Sequence, residues 1–424
     1  MQFKRKDLLL LLVPLVISLL FMIVVPRNPL ASDGREYDVL AKNIISGKGY
    51  SLDGNTPYGL RPPLYSLVVA LIYFMFKPNP YYVVAFQIIL LMAIPYIIKK
   101  IMILGGFNES QSFCSALIVA IYPFGYVYAQ QLITESLTTF LVVLGAYFSI
   151  KIVRRDDIKF TAIIWYAIMI TLPALAKSQH ISILCAVLLV SLCKAIFEKR
   201  KFRTISWKCS GVILGAIIVL APWGIRNYHH FNRPAILGYG AFGEGFLKGY
   251  YHAKGEWLIW RYWNEKSSSK GPYFEEWKKK FDCAEELAKS NNVDTDKIKS
   301  KIALQEVKKH PFEAFRGYIV RFYSLWIAMP KGDNISFKVK ALVLTIEICF
   351  LASSLIGLFL YRNMLLKNLI VIYVFVLAES VFLPVIDVES RYSISLKPFL
   401  LVGLGLLLAN VYSKFFIKEG KPSG

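Results

Sequence analysis

Three carboxylates, Asp33, Glu36 and Asp38, stand within the stretch "ASDGREYDVLAKNIISGKGY" at residues 31–50. A carboxylate can accept the proton of an attacking hydroxyl, the work of a general base. The next chemical element is "YGLRPPLYSLVVAL", with Arg61 directly before Pro62-Pro63. A guanidinium can grip a phosphate with two parallel hydrogen bonds. Each residue also has a plainer reading. Asp33 with Glu36 three positions on has the spacing of a capping box, Asp replacing Ser or Thr. Glu36 and Asp38 read as solvated surface charges, and Arg61 could be an interfacial arginine that snorkels to water. From pattern alone Asp33 is a cap or a base.

Other candidates recur at the ends of apolar segments. Glu135 in "QQLITESLTTF" starts a span, where the positive end of a helix favours an anion. Lys177 and His180 share a short turn in "LPALAKSQHISIL", and "LAPWGIRNYHHFNRP" brings Trp223, Arg226 and Asn227. "DVESRYSISLKPFLL" brings Asp387, Glu389, Arg391 and Tyr392. Interfacial anchoring explains each one singly; several cations and a few carboxylates on one face suggest a site for a phosphate at the membrane surface. The five histidines, His180, His229, His230, His252 and His310, fit no zinc spacing. No metal ligand set is expected, and a divalent ion, though compatible, is not indicated. Six cysteines without a CxxC pair predict neither a disulfide framework nor a thiolate metal site.

The elements that must position these groups are membrane helices. The 424 residues are 56% hydrophobic and 15% aromatic, with mean hydropathy +0.48; long apolar stretches of this kind take the bilayer as solvent. Candidate spans fall at 8–25, 81–98, 112–130, 134–152, 160–176, 180–197, 207–223, 340–360, 368–386 and 395–415. With "MQFKRK" inside, every inner joint is basic: Lys99-Lys100, "RRDDIK", "EKRKFR", "YRNMLLK" and the tail "KEGK". That is the positive-inside bias, and it places both termini in the cytoplasm. The formal charge of +22 thus reads as topology, with the lipid bilayer as partner and no nucleic acid. The N-terminal apolar run reads as an uncleaved signal anchor.

Residues 64–76 are apolar but too short to span, which predicts a re-entrant or interfacial helix in the first outer loop, 26–80. Before it, Tyr37, Leu40, Ala41, Ile44 and Ile45 share one helical face, with Gly47 as the stop. The expected organisation is an N-terminal transmembrane module at 1–223, an extracytoplasmic loop region at 224–339 that is helical from about 274 to 326, and C-terminal spans at 340–424.

In this order the motifs resemble a known family. "SDGREYDVLAKNIISGKGY" through "RPPLYSLVVALIYFMF" looks like the first outer loop of GT-C glycosyltransferases, in the protein O-mannosyltransferase and lipid A aminoarabinose transferase branch. "APWGIRNYHHFNRPAILGYGAFGEGFLKG" resembles the Pro-Trp-x-x-Arg-Asn-Tyr signature of bacterial members, and "KKHPFEAFRGYIVRFYSLW" and "SRYSISLKPFL" also look like their counterparts. The resemblance implies an all-α polytopic GT-C bundle of about ten helices in a bacterial inner membrane. It implies transfer of a sugar from a polyprenyl-phosphate donor to a glycan, lipid or protein acceptor on the extracytoplasmic face, with inversion and without a bound nucleotide.

Carried over by residue, Asp33 matches the proposed general base and Arg61 the basic residue that contacts the lipid phosphate. Glu135 lies near the second acidic position. Lys177, Arg226, Arg391 and Tyr392 are candidate donor-phosphate ligands; Tyr37, Trp223, Asn227 and His180 are candidate substrate contacts. Many relatives have Asp-Glu where this chain has Asp33-Gly34. Two other classes fit parts of the sequence. A secondary transporter or lipid flippase would use the intramembrane acids Glu347 and Glu379, although no internal repeat supports it. An O-antigen ligase or polymerase would also work on lipid-linked glycans at the outer face.

Overall fold

The computed structural model describes residues 4–198, 202–232, 235–236, 238, 241–254, 273–291, 294–327 and 336–416. The tail "KEGK" and the tryptophan-rich 255–263 stretch lie outside them. The regular elements among the described residues are helices, and one isolated antiparallel bridge, Ser51 to Pro57, lies in the first loop. Contacts divide the chain into two units: residues 1–237, 350–376 and 394–424 in the first, 238–349 and 377–393 in the second.

The first unit holds α1 (Asp7–Val24), α2 (Gly34–Ile45), α3 (Leu64–Phe76), α4 (Pro80–Leu104), α5 (Glu109–Ile121), α6 (Phe124–Tyr128), α7 (Glu135–Arg154), α8 (Phe160–Ala176), α9 (Ile181–Phe197) and α10 (Phe202–Phe231). To these it adds the end of α15 (Phe337–Leu360), most of α16 (Arg362–Phe382) and α17 (Lys397–Phe416). The second unit holds α11 (Ala241–Ala253), α12 (Phe274–Asn291), α13 (Thr295–Lys309) and α14 (Pro311–Trp326), with the rest of α15 and α16. The helical reading of residues 274–326 is borne out by α12 to α14.

Seven helices among the described residues are long and apolar enough to cross a membrane, by length and composition. The chain is an integral membrane protein. The other three expected spans fall on shorter apolar helices, Glu109–Ile121, Phe160–Ala176 and Lys397–Ser413. The 112–130 reading needs correction: α5 stops at Ile121 and Tyr122 turns extended (φ −68°, ψ 118°). Pro123 follows, and a residue before proline is pushed out of helical conformation. The 13 residues of α3 reach only about 20 Å, short of a hydrocarbon core of about 30 Å. The 30-residue α10, at about 45 Å, exceeds that core and carries Trp223, Arg226 and Asn227 in its last turns.

Small residues let the helices approach closely. A Cβ on Gly357 of α15 would lie 1.8 Å from the carbonyl oxygen of Gly403 on α17, and one on Gly403 would lie 2.1 Å from that of Ser354. Backbones pack directly there, as in membrane bundles whose helices gain little from hydrophobic burial. At the end of the bundle that bears the basic joints, Lys99 of α4 is fully buried, with Nζ 2.5 Å from Asp7 of α1 and 2.6 Å from Glu109 of α5. Lys6 and Lys4 reach the same Glu109 carboxylate at 3.4 and 3.7 Å. Lys99, read as part of a basic joint, instead ties three helices together.

The second unit packs around Leu247, Tyr250, Tyr251 and Ala303. The buried Arg321 of α14 clasps two backbone segments, donating from Nε to the carbonyl of Pro384 and from Nη1 to that of Gly249, both at 2.6 Å. Its replacement by Met leaves both carbonyls without their charged donor. The expected loss is about 2–3 kcal/mol, read as a lower thermal midpoint of the purified protein; an unchanged midpoint would show the clasp to be dispensable. Glu347 and Glu379, at 1% and 2% exposure, also lie in this unit.

Candidate active site

Helix α2 forms as its pattern predicts, burying Tyr37, Leu40 and Ala41. Gly47 then takes φ +76° and ends it. Two readings of its charges change. Asp33 stands at the N-cap position with helical angles (φ −69°, ψ −9°), and its side chain makes no capping hydrogen bond. Asp38, expected to be solvated, is 4% exposed. It accepts from the Tyr73 hydroxyl of α3 and from Lys42 one turn on, both at 2.7 Å. The Tyr73 bond fixes α2 on α3, while the Lys42 bond stays within α2. Gly34 is required where it stands, since a Cβ there would lie 2.5 Å from the Pro29 carbonyl oxygen.

With its carboxylate not committed to capping, Asp33 turns to Arg61. Arg61 Nη2 lies 3.1 Å from Asp33 Oδ1 and 2.7 Å from Glu36 Oε2. Its plane sits 5.0 Å from the Tyr37 ring centroid, and Nη1 donates to the Tyr37 hydroxyl at 3.4 Å. Glu36, also read as a solvated charge, is the shorter of Arg61's two ion pairs and accepts from the Tyr58 hydroxyl as well. All three charged groups keep partial access to solvent, at 24%, 23% and 26% side-chain exposure for Asp33, Glu36 and Arg61. The buried Arg61 Nε has no hydrogen-bond partner.

A second ion pair lies at the start of α7. Glu135 is buried, with Oε1 3.3 Å from Lys177 Nζ and its other oxygen near the Thr134 hydroxyl at 3.5 Å. Tyr37 lies within electrostatic range of Arg61 and Asp33 and of Glu135. Burial raises its phenol, against the opposing pull of Arg61, and Asp33 and Glu135 push it further the same way. Burial likewise pushes Tyr50 up to about 12, against its Ser66 hydrogen bond and Arg61. Both phenols therefore stay neutral donors at physiological pH.

The loop between α2 and α3 is held from α10. Arg226 donates from Nη1 to the Tyr58 carbonyl at 2.7 Å and to Asn227 Oδ1 at 2.8 Å, and from Nη2 to the Tyr50 carbonyl at 3.3 Å. Its guanidinium stacks 4.7 Å from the Trp223 ring, and Tyr50 meets Trp223 edge-on at 5.1 Å. Asn227 is fully buried and donates to the Ala235 carbonyl at 2.6 Å. The phenol of Tyr50 donates to the carbonyls of Arg61 and Pro62 at 3.2 and 3.3 Å. Removing the Arg226 guanidinium (Arg226→Met) is expected to release the 46–62 loop, read as faster proteolysis there with the bundle intact; equal cleavage would refute the anchor.

Arg61, Asp33, Tyr37, Glu135, Lys177, Trp223, Arg226 and Asn227 thus all belong to the first unit. His180 belongs there too, but is fully buried, its Nε2 3.5 Å from the Ser395 hydroxyl. Arg391 and Tyr392 belong to the second unit. There Arg391 Nε lies 3.2 Å from Glu389, and Tyr392 packs on the cluster of Leu325, Leu383 and Val388. The residues not foreseen are Glu36 as Arg61's partner, and Tyr50 and Tyr58 as the loop's contacts. Among the described residues no three His, Cys, Asp or Glu side chains are grouped to hold a metal.

No protein-family model and no curated protein matches the chain. It is similar to the crystal structure of ArnT from Cupriavidus metallidurans bound to undecaprenyl phosphate, at TM-score 0.42 and 12% identity over 98% of this chain and 81% of that one. The apo state of the same protein gives TM-score 0.41 and 13% identity over 98% and 80%.

Proposed function

We propose that the chain is a membrane glycosyltransferase of the GT-C type, moving a sugar from a polyprenyl-phosphate carrier to an acceptor hydroxyl or phosphate on the extracytoplasmic face. The observation that carries this reading is the group formed by Asp33, Glu36 and Arg61 over the short helix α3. It joins a candidate base to a candidate phosphate ligand beside an apolar helix too short to span. The ordered motifs of the sequence support the same reading.

In this mechanism the acceptor oxygen attacks the anomeric carbon as the bond from that carbon to the phosphate oxygen breaks. The acceptor proton passes to Asp33, and polyprenyl phosphate departs as an anion stabilised by Arg61. A single displacement inverts the anomeric centre, by analogy with inverting glycosidases. An aspartate paired with arginine is a weak base, so the donor has a second effect. Its phosphate competes with Asp33 for Arg61 Nη2, while Glu36 stays held by Tyr58. Loosening the Asp33–Arg61 pair turns Asp33 Oδ1 from the guanidinium toward the acceptor only when donor is present. Lys177 and Glu135 flank the sugar in this reading, Arg226 positions the loop, and no cofactor is called on beyond the lipid-linked donor.

Arg61→Gln tests the phosphate role. Loss of a charge-assisted contact of about 1.5–3 kcal/mol is expected to weaken polyprenyl-phosphate binding by about ten- to a hundredfold. Arg61→Lys keeps the charge without the fork and is expected to recover part of it. Titration of the purified protein with polyprenyl phosphate reads both. Wild-type affinity in the Gln variant would leave Arg61 as a strut for Asp33 and Glu36 alone.

A further inference from the structure

A cavity of about 600 Å³ in the first unit is lined by none of the candidate-site residues. It lies between α9 and α16 beside the end of α7. Its walls are mostly aliphatic and aromatic, including Leu189, Phe197 and Val374, and its volume is in the range of small-molecule sites. Three cations line it: Arg154, Lys194 and Lys367. Each stands near the end of its helix on the side where the sequence places the basic joints. One acid lines it, Glu198, 3.7 Å from Lys194. Asp156 of the neighbouring loop is bound by Lys208 at 2.8 Å.

The cavity has a structural origin. Within α16, Leu369 leaves helical conformation (φ −124°, ψ 16°) without a proline to cause it. Before this break, Asn368 donates to the Gly105 carbonyl at 2.8 Å, and Arg154 of α7 donates to the Leu104 carbonyl. The end of α4 is thereby fixed to both α7 and the first turns of α16. The lining residues Leu366, Lys367 and Asn368 precede the break, and Ile370 and Val374 follow it. At the rim, Leu189 and Phe197 are 53% and 83% exposed, as side chains that meet lipid would be.

We propose that this cavity binds an anionic glycerophospholipid of the inner leaflet. An acyl chain would lie between α9 and α16, and the phosphate would meet Lys194, Lys367 and Arg154. The excess of three bases over one acid at the end of an apolar slot opening to the bilayer selects an anionic lipid over a neutral one, since each cation near a membrane surface adds attraction for anionic headgroups. The full chain would be purified in nanodiscs of equimolar phosphatidylcholine and phosphatidylglycerol and its retained lipid counted by native mass spectrometry. Wild type should retain phosphatidylglycerol in preference to phosphatidylcholine. Lys194→Gln and Lys367→Gln should each lower that preference about fivefold. Leu189→Trp, which fills the slot from an exposed position, should lower retention of lipid without changing charge. Equal retention of the two lipids by wild type, an undiminished preference in the double Gln variant, or full retention in Leu189→Trp would each overturn the proposal.

Discussion

Asp33→Asn is expected to lower turnover by about 10²–10⁴-fold, the contribution of a positioned general base, with the fold near wild type and donor affinity at or above it. The structure separates these effects because the Asp33 side chain caps nothing, so α2 does not depend on it for its first turn. Arg61 keeps its shorter pair, to Glu36 at 2.7 Å, and an asparagine of nearly the same shape can still accept from Nη2. What the amide cannot do is take the acceptor's proton. Turnover on a labelled polyprenyl-phosphate sugar, measured beside the thermal midpoint, reads the two quantities separately. Unchanged turnover would move the base elsewhere, Glu36 being the nearest alternative on the same arginine.

The second large effect is on stability. Lys99→Met is expected to cost about 3–5 kcal/mol, because it leaves the buried carboxylate of Asp7 without its cation. Both side chains are fully buried, and Glu109 loses its 2.6 Å partner at the same time. The contact joins α1 to α4 and α5, so the N-terminal helix should loosen first. A second change gives the control: Lys99→Met with Asp7→Leu removes both buried charges and should recover much of the loss, since an apolar pair of similar volume often replaces a buried ion pair at little cost. A thermodynamic cycle over the four proteins measures the coupling. Additive losses would show that the ion pair does not join the helices.

The same contrast explains what the sequence could convey. Period and length carried the helices: the apolar face of α2, the short α3 and the long helices follow from spacing that every residue in the element shares. The break after Ile121 was also legible, in Pro123, but the continuous apolar run masked it. Partners across the fold were not legible. Asp38 and Tyr73 are separated by 35 residues and Glu36 and Arg61 by 25, and no local spacing says that they meet. A carboxylate on the polar side of an amphipathic helix reads as solvated until another helix covers it. Asp33 and Arg61 each show their chemistry in the sequence, but their 3.1 Å pairing exists only in the fold. The Arg226 anchor hid for the same reason: its acceptors are carbonyls, which no side-chain pattern reveals.

The most direct test follows the carrier lipid. Purified protein in sealed liposomes would receive a polyprenyl-phosphate sugar labelled in both sugar and lipid, together with candidate acceptors. The account predicts that sugar label appears on an acceptor with inverted anomeric configuration, matched mole for mole by free polyprenyl phosphate, and that Asp33→Asn abolishes both. Carrier that crosses the bilayer with its sugar still attached, at the same rate in wild type and in Asp33→Asn, would contradict it and point to transport.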